Sequence, residues 1–246
     1  MAYTREYILH ELTVIRERLT AEKVLDESAP RVLDLMDAQI RGARSTKKWE
    51  FTVSEGQALR FRRCGPTDSR DLKYDSWVDI SGKFPAPIDG APAKEHSVVV
   101  RIWTTDQAVW YNDQLDSVSV FNGVDPALGR VVHRFHFDSA SSSKEPWCHM
   151  HVGGRRRWSK EFFRLPEDQV LPRFSHHPMG LIQTCEFVLY HFFPVVYKEV
   201  SKEDSWQFAL CESQKAYLGK YWARLRQLPP QGLGLSSFHS FCCSAC

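Results

Sequence analysis

Two short stretches hold the residues whose types and spacing could do chemistry. In Arg130-Val-Val-His-Arg-Phe-His-Phe-Asp138, strand alternation places Val131, His133, Phe135 and Phe137 on one face and Arg130, Val132, Arg134, His136 and Asp138 on the other. In Trp147-Cys-His-Met-His-Val152, His149 and His151 share a face, opposite Cys148, Met150 and Val152. A serine-rich turn at 139–144 separates the two. If they pair as a hairpin with apolar faces matched, Phe135, Phe137, Met150 and Val152 enter the core. Arg134, His136, Asp138, His149 and His151 then gather on the opposite face, and His133 is expected as a hydrogen-bonded core residue.

Such a group has two uses. Neutral imidazoles with a carboxylate suit a divalent metal, with Mn²⁺, Zn²⁺, Fe²⁺ or Mg²⁺ as candidates and His136, Asp138, His149 and His151 as ligands; the ion would activate water or polarise a phosphoryl oxygen. Without metal, His136 and either His149 or His151 could serve as base and acid in phosphodiester cleavage, with Asp138 as orienter and Arg134 stabilising the charged transition state. That route needs an RNA 2′-hydroxyl or an activated water. Four residues after His151 comes Arg155-Arg156-Arg157, followed by Lys160, with Trp158, Phe162 and Phe163 interleaved. This pattern suits a phosphate backbone with stackable bases, so nucleic acid, RNA or DNA, is the expected partner; a solvated loop has the same composition. Arg173, His176 and His177 precede an apolar segment and could bring cations to a helix N-terminus that attracts anions, completing the same pocket.

The elements that must position these residues follow from periodicity. Ile8, Leu12, Ile15 and Leu19 mark an amphipathic helix over 4–20, with Glu and Arg on its other face. A second helix is expected from near Pro30, with Ser28 as a cap, to about Arg41, where Gly42 stops it. From Trp49 the period becomes two, predicting strands at 49–54, 58–63, 76–81, 97–105, 108–111, 117–121, 130–138 and 147–152. Spacing this close leaves no room for crossover helices, so the sheet should be largely antiparallel. Lys83 to Lys94, rich in proline, reads as a loop. Residues 179–193 predict a buried helix and 203–226 a longer amphipathic one, with Trp206, Leu210, Tyr217, Tyr221 and Leu225 along its inner side.

The fold class is therefore α+β: an N-terminal helical hairpin, a largely antiparallel central sheet and C-terminal helices packed on it. The expected organisation is a hairpin at 1–45, a core domain at 46–230 and an irregular cysteine-rich tail at 231–246.

The ordering of a strand ending His-x-Asp, a turn, a Pro-x-x-His-x-His strand and Pro-Arg before an aromatic-rich helix spans residues 130–195. It resembles uncharacterised bacterial proteins of toxin and phage-defence loci and is more distantly similar to small ribonuclease-like toxins of toxin–antitoxin pairs. The resemblance implies that Phe137-Asp138 and His149-x-His151 are the positions to test; the expectation of a nucleic-acid-directed protein of a defence or toxin system is motivated by the paired strands and the charge division. P-loop, dinucleotide-binding, nucleophile-elbow and His-Glu-x-x-His motifs are all lacking, which argues against the chemistries they serve.

Composition excludes collagen-like, disordered and polybasic classes: 43% of the 246 residues are hydrophobic and 25% charged, with a net charge of +2. That small sum hides a division. Residues 41–63 hold seven basic and two acidic side chains, whereas 64–128 hold five basic and ten acidic. Seven scattered cysteines, three of them in a terminal Cys-Cys-x-x-Cys, read as free thiols. Apolar runs are too short to span a bilayer, and charges throughout residues 1–25 argue against a secretory signal, so no membrane partner and a cytoplasmic location are expected. A competing expectation is a non-enzymatic subunit that docks to a protein partner through the N-terminal helices or the C-terminal helix.

Overall fold

The computed structural model describes residues 3–64, 76–87, 96–104, 124–125, 129–139, 148–152 and 174–225. The chain folds as an α+β protein in which N-terminal helices and C-terminal helices cover one face of a central antiparallel sheet. Helix α1 (Arg5–Ala21) and helix α2 (Ala29–Arg41) form the expected hairpin. Between them Lys23 takes a left-handed backbone (φ 54°). The amides of Lys23 and Val24 return to the carbonyls of Thr20 and Leu19, closing α1 with a motif that usually holds glycine there. Ser28 precedes α2 without capping it; its hydroxyl bonds Asp26 instead.

The sheet runs β1-β3-β4-β6-β7-β8: β1 (Glu50–Val53), β3 (Ser76–Pro85), β4 (Ser97–Thr104), β6 (Gly129–Ser139), β7 (Cys148–Val152) and β8 (Phe174–Ser175). Two short strands join it laterally, β2 (Leu59–Arg60) on β3 and β5 (Val124–Asp125) on β6. All these pairs are antiparallel. Helices α3 (Leu181–Phe192), α4 (Pro194–Val200) and α5 (Asp204–Leu225) follow. Phe187 of α3 meets Phe135 and Phe137 of β6 edge-on, at ring distances of 5.3 and 5.6 Å. The apolar stripe of α1 is buried in the same core as the sheet and α5, so the hairpin spends its hydrophobic face inside the fold.

Several expectations are corrected. Strand β3 extends through Gly82 into the segment read as a loop, because Gly82 adopts φ +144° and Pro85, as the last residue, needs no ladder amide. A β-bulge between Ile102 and Trp103 leaves Val132 without a register partner, so strict alternation in β6 holds only from His133 to Asp138. Val152 lies at the strand end and is exposed. Glu11 belongs to the buried face of α1, not its polar face. The expected strands at 108–111 and 117–121 and the terminal cysteines lie outside the described residues, as does the side chain of His133. Among the described residues, no helix is long and apolar enough to cross a membrane.

Candidate active site on the polar face of the sheet

Alternation in β4 and β6 divides the sheet into an apolar face under the helices and a polar face. Val98, Val100, Phe135 and Phe137 belong to the first. On the second, register sets Ser97 opposite Asp138, Val99 opposite His136 and Arg101 opposite Arg134. The β6–β7 hairpin forms as expected, with His136 opposite His151 and Asp138 opposite His149. Two residues of spacing on each strand have become a single cluster.

His136 stands at its centre. Its Nε2 lies 2.8 Å from the Ser97 hydroxyl and 3.1 Å from Asp138 Oδ2, and its Nδ1 lies 2.7 Å from His151 Nε2. Donor atoms of His136, Asp138 and His151 all fall within 4.8 Å of one another, a set able to hold a metal ion. His136 and Asp138 are half-buried, with side chains 14% and 27% exposed, so the cluster is shielded yet reachable. Burial alone would raise the Asp138 carboxyl, but the hydrogen bond and charge of His136, helped by Ser97 and His151, hold it below the ordinary range. Burial, reinforced by His136, pulls His151 down to about 4. At neutral pH the cluster therefore presents an ionised carboxylate and a neutral His151 imidazole.

Of the residues expected at this site, the structure brings together His136, Asp138 and His151. His149 is buried beside them, its ring 5.8 Å from that of His151. Arg134 is also buried, two residues along β6 from His136. Its cross-strand neighbour Arg101 is engaged elsewhere, in a bidentate pair with Asp79 at 2.8 and 2.9 Å, with Glu55 at 3.4 Å. Arg155, Arg156, Arg157, Lys160 and Arg173 lie outside the described residues.

His176 and His177 do not join the cluster. The His176 ring packs 4.9 Å from Phe137, a residue of the apolar face, and His177 Nδ1 contacts the Pro178 carbonyl at 3.1 Å. The N-terminus of α3 is also not open to an outside anion, because Glu11 occupies it, accepting the Ile182 amide at 2.8 Å and the Tyr3 hydroxyl. Sequence reasoning missed Ser97 and Glu11. For Glu11 a signal existed: positions 8, 11, 12 and 15 form one helical stripe, and a carboxylate in it must find partners.

Fold and site together define an α+β protein with a shielded His/Asp cluster suited to metal binding or catalysis. No protein-family model matches the chain, and no curated protein or solved structure matches it.

Proposed function

We propose that the protein acts on nucleic acid, cleaving phosphodiester bonds at this cluster, and that it belongs to a bacterial defence or toxin system. The observation that supports the chemistry is the continuous chain from Asp138 through His136 to His151: a carboxylate anchors one imidazole, which bonds a second. That order of groups orients a base and stabilises the imidazolium it becomes. The arginine-rich stretch shortly after β7 supplies phosphate contacts, and the resemblance across residues 130–195 supplies the biological setting.

A second reading, a hydrolytic metal centre, draws on the same donor set. Two imidazoles and a carboxylate favour Zn²⁺ or Mn²⁺ over Mg²⁺, which prefers oxygen ligands. Nitrogens that share one cation at about 2.1 Å stand about 3.0 to 3.4 Å apart. His136 and His151, now 2.7 Å apart, must therefore separate slightly to bind it together.

The test is cleavage of end-labelled single- and double-stranded RNA and DNA, with Mn²⁺, Zn²⁺, Mg²⁺ or chelator, beside His136→Ala and His151→Ala. Cleavage lost in both variants is expected, and survival under chelator selects the acid–base route. A well-folded wild-type protein that cuts none of these substrates overturns the proposal.

A further inference from the structure

Four cations, Arg41, Arg44, Lys47 and Lys48, stand within eight residues at the end of α2, with no acid among them. Arg41 is engaged by Asp37 at 2.6 Å, but Arg44, Lys47 and Lys48 are exposed and meet no carboxylate among the described residues. The turn that carries them is pinned. The Ser45 hydroxyl accepts the amides of Lys47 and Lys48, both at 3.2 Å, while the Arg5 amide and guanidinium, at the start of α1, donate to the carbonyls of Thr46 and Ala43. Binding here would therefore order little backbone. The large apolar side chains that follow, Trp49 and Phe51, are buried, so the turn offers charge and nothing to insert into a bilayer.

Register places this turn at the end of the sheet that also carries the His/Asp cluster. Across that end the polar face presents one residue from each of four adjacent strands: Thr52 of β1, Lys83 of β3, Ser97 of β4 and Asp138 of β6. Thr52 is exposed, Lys83 and Ser97 are half-buried and Asp138 is 27% exposed, whereas one row further in Ser81 and Val99 are closed off. Solvent thus reaches the polar face along a strip. It runs from beside the cationic turn to the cluster, three strand spacings or about 14 Å. Lys83 lies on the way, its ammonium 3.4 Å from Glu50.

A chain of evenly spaced negative charges fits this layout, with cations at one end and groups able to act on a single link at the other. A flat lipid surface matches the turn but cannot follow the strip to half-buried side chains. A duplex is too stiff to do so, and a single strand is not. We propose that Arg44, Lys47, Lys48 and Lys83 form a phosphate-binding track that lays a single-stranded nucleic acid across this end of the sheet, the turn gripping the strand a few nucleotides from the link held at the cluster. The track rests on the nucleic-acid reading of the site; it does not require cleavage.

The experiment is fluorescence anisotropy of the full chain, in chelator and over a series of salt concentrations, with labelled single-stranded DNA and 2′-O-methyl RNA of about 12 nucleotides. Arg44→Ala/Lys47→Ala/Lys48→Ala should weaken binding about tenfold and reduce the slope of log K against log salt by about 2, the value for three lost phosphate contacts. Arg31→Ala/Lys198→Ala/Lys202→Ala, which removes the same charge from exposed positions elsewhere, should leave both near wild-type values. Thr52→Glu should weaken binding where Thr52→Gln does not, because only the first sets a negative charge in the strip. The substituted side chains of the turn make none of its hydrogen bonds; should that variant nonetheless not fold, Lys47→Gln/Lys48→Gln carries the test with a slope change of about 1.4. Equal losses in the two triple variants overturn the track, as does a Thr52→Glu that binds like wild type. A wild type that binds neither probe also overturns it, whether or not it binds phosphatidylserine vesicles. Binding as expected in a protein that cuts nothing discards the cleavage reading and keeps the track; cleavage by a wild type whose turn variant binds equally tightly does the reverse.

Discussion

Glu11 and Asp138 are both carboxylates withdrawn from water, and their surroundings push them in opposite directions. Glu11 sits in the helical layer, among Tyr3, the start of α3 and Tyr217, where burial lifts its carboxyl to about 7 despite the donors it bonds. Asp138 sits on the polar face of the sheet, where an imidazole and a hydroxyl more than offset burial and keep it ionised. The first has donors that hold backbone and helices together; the second has a partner that can itself gain and lose a proton. A buried acid is a structural clasp or a chemical group according to what it touches.

Removing the clasp should have the largest effect. Glu11→Ala leaves the Ile182 amide and the Tyr3 hydroxyl buried without their acceptor, and should cost about 4 kcal/mol in denaturant titration, with the imidazole signals of His136 and His151 unchanged.

The contrast also has a pH signature. Because the folded Glu11 carboxyl lies above its unfolded value, its contribution is fully present below about pH 4.5 and is lost as pH rises through about 7, on the order of 3 kcal/mol. His151 and His177, both lowered to about 4 in the fold, work the other way: the unfolded chain binds their protons first, so their contribution grows as pH rises from about 4 to 6.5. Wild-type stability should therefore rise with pH between these limits, because two lowered imidazoles oppose one raised carboxyl. Glu11→Gln should steepen that rise; a slope equal to the wild type's would undo the assignment.

Asp138→Asn should do the reverse of the Glu11 variants, changing stability by less than about 1 kcal/mol while, on the proposed function, cleavage falls about 100-fold. The smallest effect is expected at Lys23, where glycine relieves the left-handed backbone and should add about 1 kcal/mol. That gain should add to the loss in Glu11→Gln, since Lys23 lies just past the C-terminal end of α1 and, among the described residues, shares no partner with Glu11.

Much of this was legible in the sequence wherever one period ran unbroken. The α1–α2 hairpin, β4, β6 and β7 lie within a residue or two of the expected limits, and the same alternation put His136, Asp138 and His151 on one face. What local pattern could not give was which strand borders β6 on its other side. Ser97 looks unremarkable before three valines, and only the β4–β6 register brings it to Asp138. The bulge that shifts this register carries no sequence mark. Helix α4 escaped because Pro194 reads as a stop, yet it is also a favourable first residue for a new helix. Strand β8, two residues long, has too little pattern to recognise.

The burial of β4 on both faces has a temporal consequence. Val98, Val99 and Val100 are all removed from water, and the strand is flanked along its length by β3 and β6. Amide hydrogens here should exchange with deuterium only through global opening, whereas those near the exposed ends of the helices exchange through local fraying. Ser97, at the first residue of this slow ladder, and His136, inside its partner strand, would thus keep their alignment through fluctuations that loosen the helical layer.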